Sequence, residues 1–143
     1  MSVGDDAAGV PEPLRRELMK ELTAARELAV GDPEAAADRV NDAEVALGHR
    51  DQPGRERLAA SMRALLRHRR PEATICPSDA ARVAGGGSWR DLMDAARQVA
   101  GELARDGIIV VRQRGEDVDV ETAVGPVRLA RGPAWGSEDE GLE

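Results

Sequence analysis

Nine side chains between residues 67 and 114 are of types and spacings that suit contact with duplex DNA. Helical periodicity over residues 89–106 puts Arg90, Asp94, Arg97, Gln98, Gly101 and Arg105 on the face opposite an apolar one. A guanidinium can bridge guanine O6 and N7, and a carboxamide can bridge adenine N6 and N7, so Arg90, Arg97, Arg105 and Gln98 are the candidates for base contacts. Arg67, Arg69 and Arg70 precede Pro71, while Arg112 and Arg114 precede a glycine turn. Those five are candidates for phosphate contacts, which set register and carry no sequence information.

Neighbouring residues argue the other way. Asp91, Asp94, Glu102 and Asp106 share the helix, and Glu116, Asp117, Asp119 and Glu121 follow where a DNA-binding protein would place Arg or Lys. Cations at 67–70 also have a purely local use, because they complement the negative end of a helix. Two readings therefore stand: a DNA-binding, regulator-like protein on double-stranded DNA, and a non-enzymatic protein-interaction module. An enzyme is not expected. Cys76 and the histidines His49 and His68 offer no nucleophile, base and oxyanion donor at a workable spacing, so no catalytic residue is assigned. With two His, one Cys and no paired ligand spacing, neither a metal nor a cofactor is expected. Gly85-Gly86-Gly87-Ser88 leads into a helix, as an anion loop would, yet it follows no strand and lacks a lysine.

The elements that must position these residues can be read from periodicity and caps. From Pro13, Leu14, Leu18, Leu22, Ala25 and Leu28 form one helical stripe, with Gly31 expected as a left-handed stop. Asp32-Pro33-Glu34 starts a second helix whose stripe is Ala36, Val40, Ala43 and Leu47, and Gly48 ends it. A third runs from about Arg55 to Arg69 with Leu58, Met62, Leu65 and Leu66 inward. Residues 74–78 read as extended and 78–84 as a short helix. Ser88 is expected to cap a long helix to about Asp106, with Leu92, Ala96, Val99, Ala100 and Leu103 inward and Trp89 as an anchor. Residues 108–114 and 126–131 read as two strands of a hairpin. Three helices followed by a hairpin is the order of a winged helix. The fold class expected is mainly α with a small β-hairpin (α+β): a winged helix-turn-helix domain preceded by an α-helical hairpin.

Charge supports the same division. Of 143 residues, the first 54 carry −6, residues 55–131 carry +3 and residues 132–143 carry −4. The expected organisation is a disordered head over 1–12, a helical hairpin over 13–48, a winged-helix domain over 55–131 and an acidic disordered tail over 132–143. Trp135 either folds back on the domain or stays out as a partner contact. The hairpin's stripes are thin and Ala-rich, so they need a cover, from the rest of the chain, from a protein partner or from a second copy of itself. No apolar run approaches the ~20 residues of a membrane span. The first ten residues lack a secretory pattern, and a single cysteine forms no internal disulfide, so a cytoplasmic location without membrane attachment is expected.

Four separated segments carry a resemblance: Thr74-Ile75-Cys76-Pro77-Ser78, Trp89-Arg90-Asp91-Leu92-Met93, Leu103-Ala104-Arg105-Asp106-Gly107 and Gly125-Pro126-Val127-Arg128-Leu129. In that order they resemble the bacterial winged-helix family Domain of Unknown Function 3253, over about residues 55–131. The resemblance implies a fold and no residue-level activity.

Overall fold

The structure is a computed structural model and describes residues 10–135. The expectations for 1–9 and for 136–143 lie outside the described residues. Leu14, Leu18, Leu22 and Ala25 bury one face of α1 (Leu14–Gly31), while Leu28, at the edge of that stripe, is exposed. The expected left-handed stop at Gly31 is replaced by Asp32. Its amide donates to the Leu28 carbonyl, and its carboxylate accepts from the Ala35 amide at 3.1 Å to start α2 (Pro33–Leu47). One aspartate thus closes one helix and opens the next. Gly48 ends α2 at φ +83°, where it and His49 donate to the carbonyls of Val45 and Glu44.

Helix α3 (Gly54–His68) is the hub. Leu58, Met62, Leu65 and Leu66 are fully buried between the α1–α2 hairpin on one side and α4 (Pro77–Gly85) and α5 (Met93–Arg105) on the other. Between α4 and α5 the chain departs from the expected single long helix. Residues Gly86–Leu92 form 3-10 turns, Gly86 sits at φ +55° and α5 begins only at Met93, so Ser88 caps nothing. The segment is drawn tight: Leu92 folds back onto Gly85 so closely that a Cβ there would lie 2.8 Å from Leu92 Cδ1. The glycines permit that approach, and an α-helix from Ser88 would not.

The sheet has three strands where two were expected. Strand β1 (Ile109–Gln113) is central, antiparallel to β2 (Glu116–Asp117) and to β3 (Arg128–Arg131). Arg114 and Gly115, at φ +56° and +84°, make the two-residue turn between β1 and β2. Ile75, before α4, adds a bridge to Leu129, with N–H···O distances of 2.9 and 2.7 Å. Ile109, Val111, Val127 and Leu129 face inward against the helices.

One continuous core runs from Val10 to Leu129, so the hairpin and the segment after it share their interior. At both ends, packing extends into stretches expected to be disordered. Val10 is buried within the expected head. At the start of the expected tail, Gly132 and Ala134 donate to the carbonyls of Ile108 and Gly107. Trp135 folds back with the guanidiniums of Arg131 and Arg67 at 5.1 and 5.7 Å from its ring. No helix among the described residues is long and apolar enough to cross a membrane.

Charged groups lock the hairpin to this core. Buried Glu21 of α1 accepts two hydrogen bonds from Arg39 of α2, at 3.0 and 2.9 Å. Buried Asp42 of α2 accepts two from Arg63 of α3, at 3.0 and 2.9 Å, and a further one from Arg67. Removing one partner of a buried pair leaves the other charge uncompensated. Asp42→Ala is therefore expected to destabilise the chain by about 3 kcal/mol in urea unfolding, near the lower end for a broken buried pair. Glu44 accepts from Arg50 at 2.6 Å and Arg26 at 3.0 Å, and these bonds hold its carboxyl below the ordinary 4.5. A carboxyl with a lowered folded pKa stabilises above its unfolded value, and that stability is lost as pH falls through the folded one. Glu44→Gln is expected to flatten the decline in stability below about pH 4.5, read by thermal unfolding across an acid series.

Candidate functional site

Helix α5 and the loop between β2 and β3 enclose a groove of about 520 Å³, lined by Asp94, Arg97, Gln98, Glu102, Arg105, Val120 and Glu121. It contains Arg97, Gln98 and Arg105, three of the four residues expected to contact bases. Buried Gly101 lets Val120, one of the lining residues, approach α5. A Cβ at Gly101 would lie 3.2 Å from Val120 Cγ1.

The hydrogen bonds, however, engage these side chains within the chain, Arg97 beneath the loop and Gln98 and Arg105 on the exposed surface. Arg97 donates to the carbonyls of Ala123 at 2.8 Å, Val120 at 3.2 Å and Gly125 at 3.4 Å. Its guanidinium is the tie that holds the loop to α5. Gln98 accepts from Arg55 at 3.1 Å, and the same arginine pairs with Glu102. Arg105 pairs with Glu121 at 3.3 Å. Arg112 pairs with Asp117 across β1 and β2 at 3.2 Å. Arg90 is exposed at the start of the site, its guanidinium 4.6 Å from the Trp89 ring, with Arg82 at 4.5 Å. Arg114 is exposed at the tip of the β1–β2 turn.

The phosphate candidates before Pro71 part company. Arg67 donates to Asp42 within the hairpin interface. Arg69 makes two hydrogen bonds to Glu17 of α1, both 2.9 Å, and another to the Thr74 carbonyl, and the Glu17 bonds raise its pKa. Both therefore face the acidic hairpin where phosphate was expected. Only Arg70 of the three is exposed, 3.8 Å from Glu72. The opposition of −6 and +3 between the two segments was the available signal for this, since opposite charges on adjoining segments can pair.

Several residues that organise the site were not anticipated. Gln113 donates its amide to the carbonyls of Val124 and Pro126 at 2.7 and 3.1 Å, holding the far end of the loop. Arg128 donates to the Thr74 hydroxyl and carbonyl, fixing the bridge at Ile75. Arg131 donates to the carbonyls of Leu66 and Arg69, and burial, with a contribution from the charge on Arg67, lowers its pKa. Among the described residues no group of three or more His, Cys, Asp or Glu is placed to hold a metal ion.

The model of a family described as protein of unknown function (DUF3253) matches residues 55–132, just over half of the chain. The match takes in α3, α4, α5, the sheet and the whole groove, and it leaves out the α1–α2 hairpin with which they share a core. No curated protein matches the chain.

Arg97→Ala would leave three carbonyls without their donor. The expected cost is about 1–3 kcal/mol, with faster cleavage at Glu121 by a glutamate-specific protease. Arg105→Ala removes an exposed pair and is expected to change stability by less than about 1 kcal/mol.

Proposed function

The chain belongs to the family of proteins of unknown function (DUF3253), and we propose that its family segment is a winged helix serving as a non-enzymatic protein-interaction module. The winged-helix reading is supported by the order α3, α4, α5 and hairpin, and by Ile75, whose bridge to Leu129 ties the α3–α4 connection to the sheet. The observation that carries the functional reading is the use of the arginines. Arg97 is engaged by loop carbonyls, Arg67 and Arg69 by acids of the hairpin, and Arg105 and Arg112 by acids of the wing. Guanidiniums that bind a phosphate backbone displace its counterions and must be free to do so, and of the eight candidate arginines only Arg90 and Arg114 are exposed without an ion pair to an acid, with Arg70 in a loose, exposed pair to Glu72.

What the groove presents instead is mixed in sign and acidic at its rim. Asp94 is exposed along it, Glu102 and Glu121 are exposed and shared with Arg55 and Arg105, and Asp119 and Glu116 are exposed on the adjoining loop and strand. A duplex meets such a rim with repulsion, whereas a peptide segment bearing Lys or Arg meets it with complementary charge. The one cysteine has a structural use in this reading: Cys76 caps α4, its amide donating to Asp79 at 3.0 Å.

Duplex DNA is the competing reading, and titration separates the two. With labelled random-sequence duplex at low salt, where electrostatics are least screened, no binding is expected. Binding that falls steeply with added salt, and that weakens in Arg90→Ala and Arg114→Ala, would replace this reading with the DNA one. On an array of basic peptides, wild-type chain is expected to be retained and Asp94→Arg to be lost, since the substitution reverses the charge of the rim while leaving the core untouched.

A further inference from the structure

Most of the chain's 19 arginines are engaged by a carboxylate or a carbonyl of the protein itself. Among the described residues, Arg82, Arg90 and Arg114 are the ones whose guanidiniums make neither a hydrogen bond nor an ion pair. Two of these three meet on one ring. The guanidinium carbons of Arg82, in the last turn of α4, and Arg90, in the 3-10 turns, lie 4.5 and 4.6 Å from the centre of the Trp89 indole. Both arginines are exposed. Asp91, next along the chain and also exposed, pairs with neither.

Trp135 supplies the comparison within the same molecule. It too carries two guanidiniums, those of Arg67 and Arg131. There, however, Arg67 donates to Asp42 and Arg131 to the carbonyls of Leu66 and Arg69, so the ring is an additional contact to groups already satisfied. At Trp89 the ring is all that gathers the pair. An indole face attracts a guanidinium, yet it supplies no acceptor oxygen and no negative charge. Two like charges therefore stand together with their N–H forks unfilled. The turn between them is open: Gly85, Gly86 and Gly87 carry no side chains, and a Cβ on Gly87 would meet no atom within 4 Å. The Ser88 hydroxyl beside Trp89 is exposed and, among the described residues, has no hydrogen-bond partner.

We propose that Arg82 and Arg90, gathered on Trp89, form a binding site for a single phosphoryl group. A carboxylate fills one guanidinium fork and leaves the other empty, whereas a phosphate monoester presents three oxygens and nearly two negative charges. The two guanidinium carbons are no further apart than the sum of their distances to the ring centre, so a group seated between them accepts from both. This does not rest on the protein-interaction reading of the groove. Nor is it the duplex reading, which needs a row of free cations where this site has two. The phosphoryl group comes either on a small molecule or on a phosphorylated side chain, and the chemistry of the contact is the same.

Proton–nitrogen correlation spectra of the full chain test it, in a phosphate-free buffer with ionic strength held constant by sodium chloride. Inorganic phosphate is expected to shift the Trp89 indole and the Arg82 and Arg90 Nε–H signals along a saturable curve, half-maximal at about 1–10 mM, and to leave the Trp135 indole in place. Arg82→Gln and Arg90→Gln are each expected to raise the half-saturating concentration at least fivefold, and Arg114→Gln to leave it within twofold. A short, otherwise neutral peptide bearing one phosphoserine separates the two sources. Half-saturation at least tenfold below that of inorganic phosphate assigns the site to a phosphorylated side chain, and a smaller difference assigns it to free phosphates. No saturable shift at Trp89 with either probe up to about 50 mM overturns the proposal. So does a response shared by the Trp135 indole, or one weakened as much by Arg114→Gln, since either places the effect in the net charge of the chain.

Discussion

The carboxylate of Asp42 lies buried in α2 and is held by two arginines of α3, and the arrangement of the whole molecule depends on that contact. A buried carboxylate is tolerable only if its lone pairs are filled, and here three N–H donors fill them. Because the donors belong to the family segment and the acceptor to the hairpin, the cost of separating the two parts is high. Glu21 with Arg39 stiffens the hairpin itself, and Glu17 with Arg69 fastens its first helix near the end of α3. The apolar part of the joint needs this reinforcement. It is built from Leu, Val, Ala and Met, without a Phe or Tyr anywhere in the chain.

The same economy decides what the surface can do. Arginine is almost the only basic residue present, with Lys20 the single lysine, so every guanidinium used inside is one fewer outside. Arg97 shows the consequence at the groove. On helical periodicity it faces outward, yet it lies under the loop between β2 and β3 and binds the carbonyls of that loop. The loop thus acquires a fixed shape, and α5 loses a cation from its open face. On the proposed reading, a partner at this groove brings its own positive charge to the exposed acids along it.

Much of the fold was legible in the sequence. The leucine stripe of α1, Asp32-Pro33 at the start of α2, Gly48 at its end, and Leu129 in the last strand with Val127 just before it are local signals, and each acts locally in the structure. The departures come from contacts that helical periodicity does not register. Ser88 has the features of a helix cap, but the packing of Leu92 onto Gly85 draws residues 86–92 into 3-10 turns. Residue type and spacing brought out Arg67, Arg69 and Arg97 as cations, and they are so used. Their partners lie 25, 52 and 26 residues away in sequence, at Asp42, Glu17 and Ala123. Helical periodicity tells which face a residue occupies and says nothing of which distant acid or carbonyl covers that face.

If the hairpin and the family segment are one cooperative body, they must open together. Native-state hydrogen exchange in rising, sub-denaturing urea measures this residue by residue. The slowest amides of α1 and α2 are expected to converge on the same opening free energy as those of α3 and α5, within about 1 kcal/mol. A hairpin whose slowest amides exchange through an opening several kcal/mol below that of α3 would contradict the account, since it would show the buried Asp42 and its arginines parting without the core.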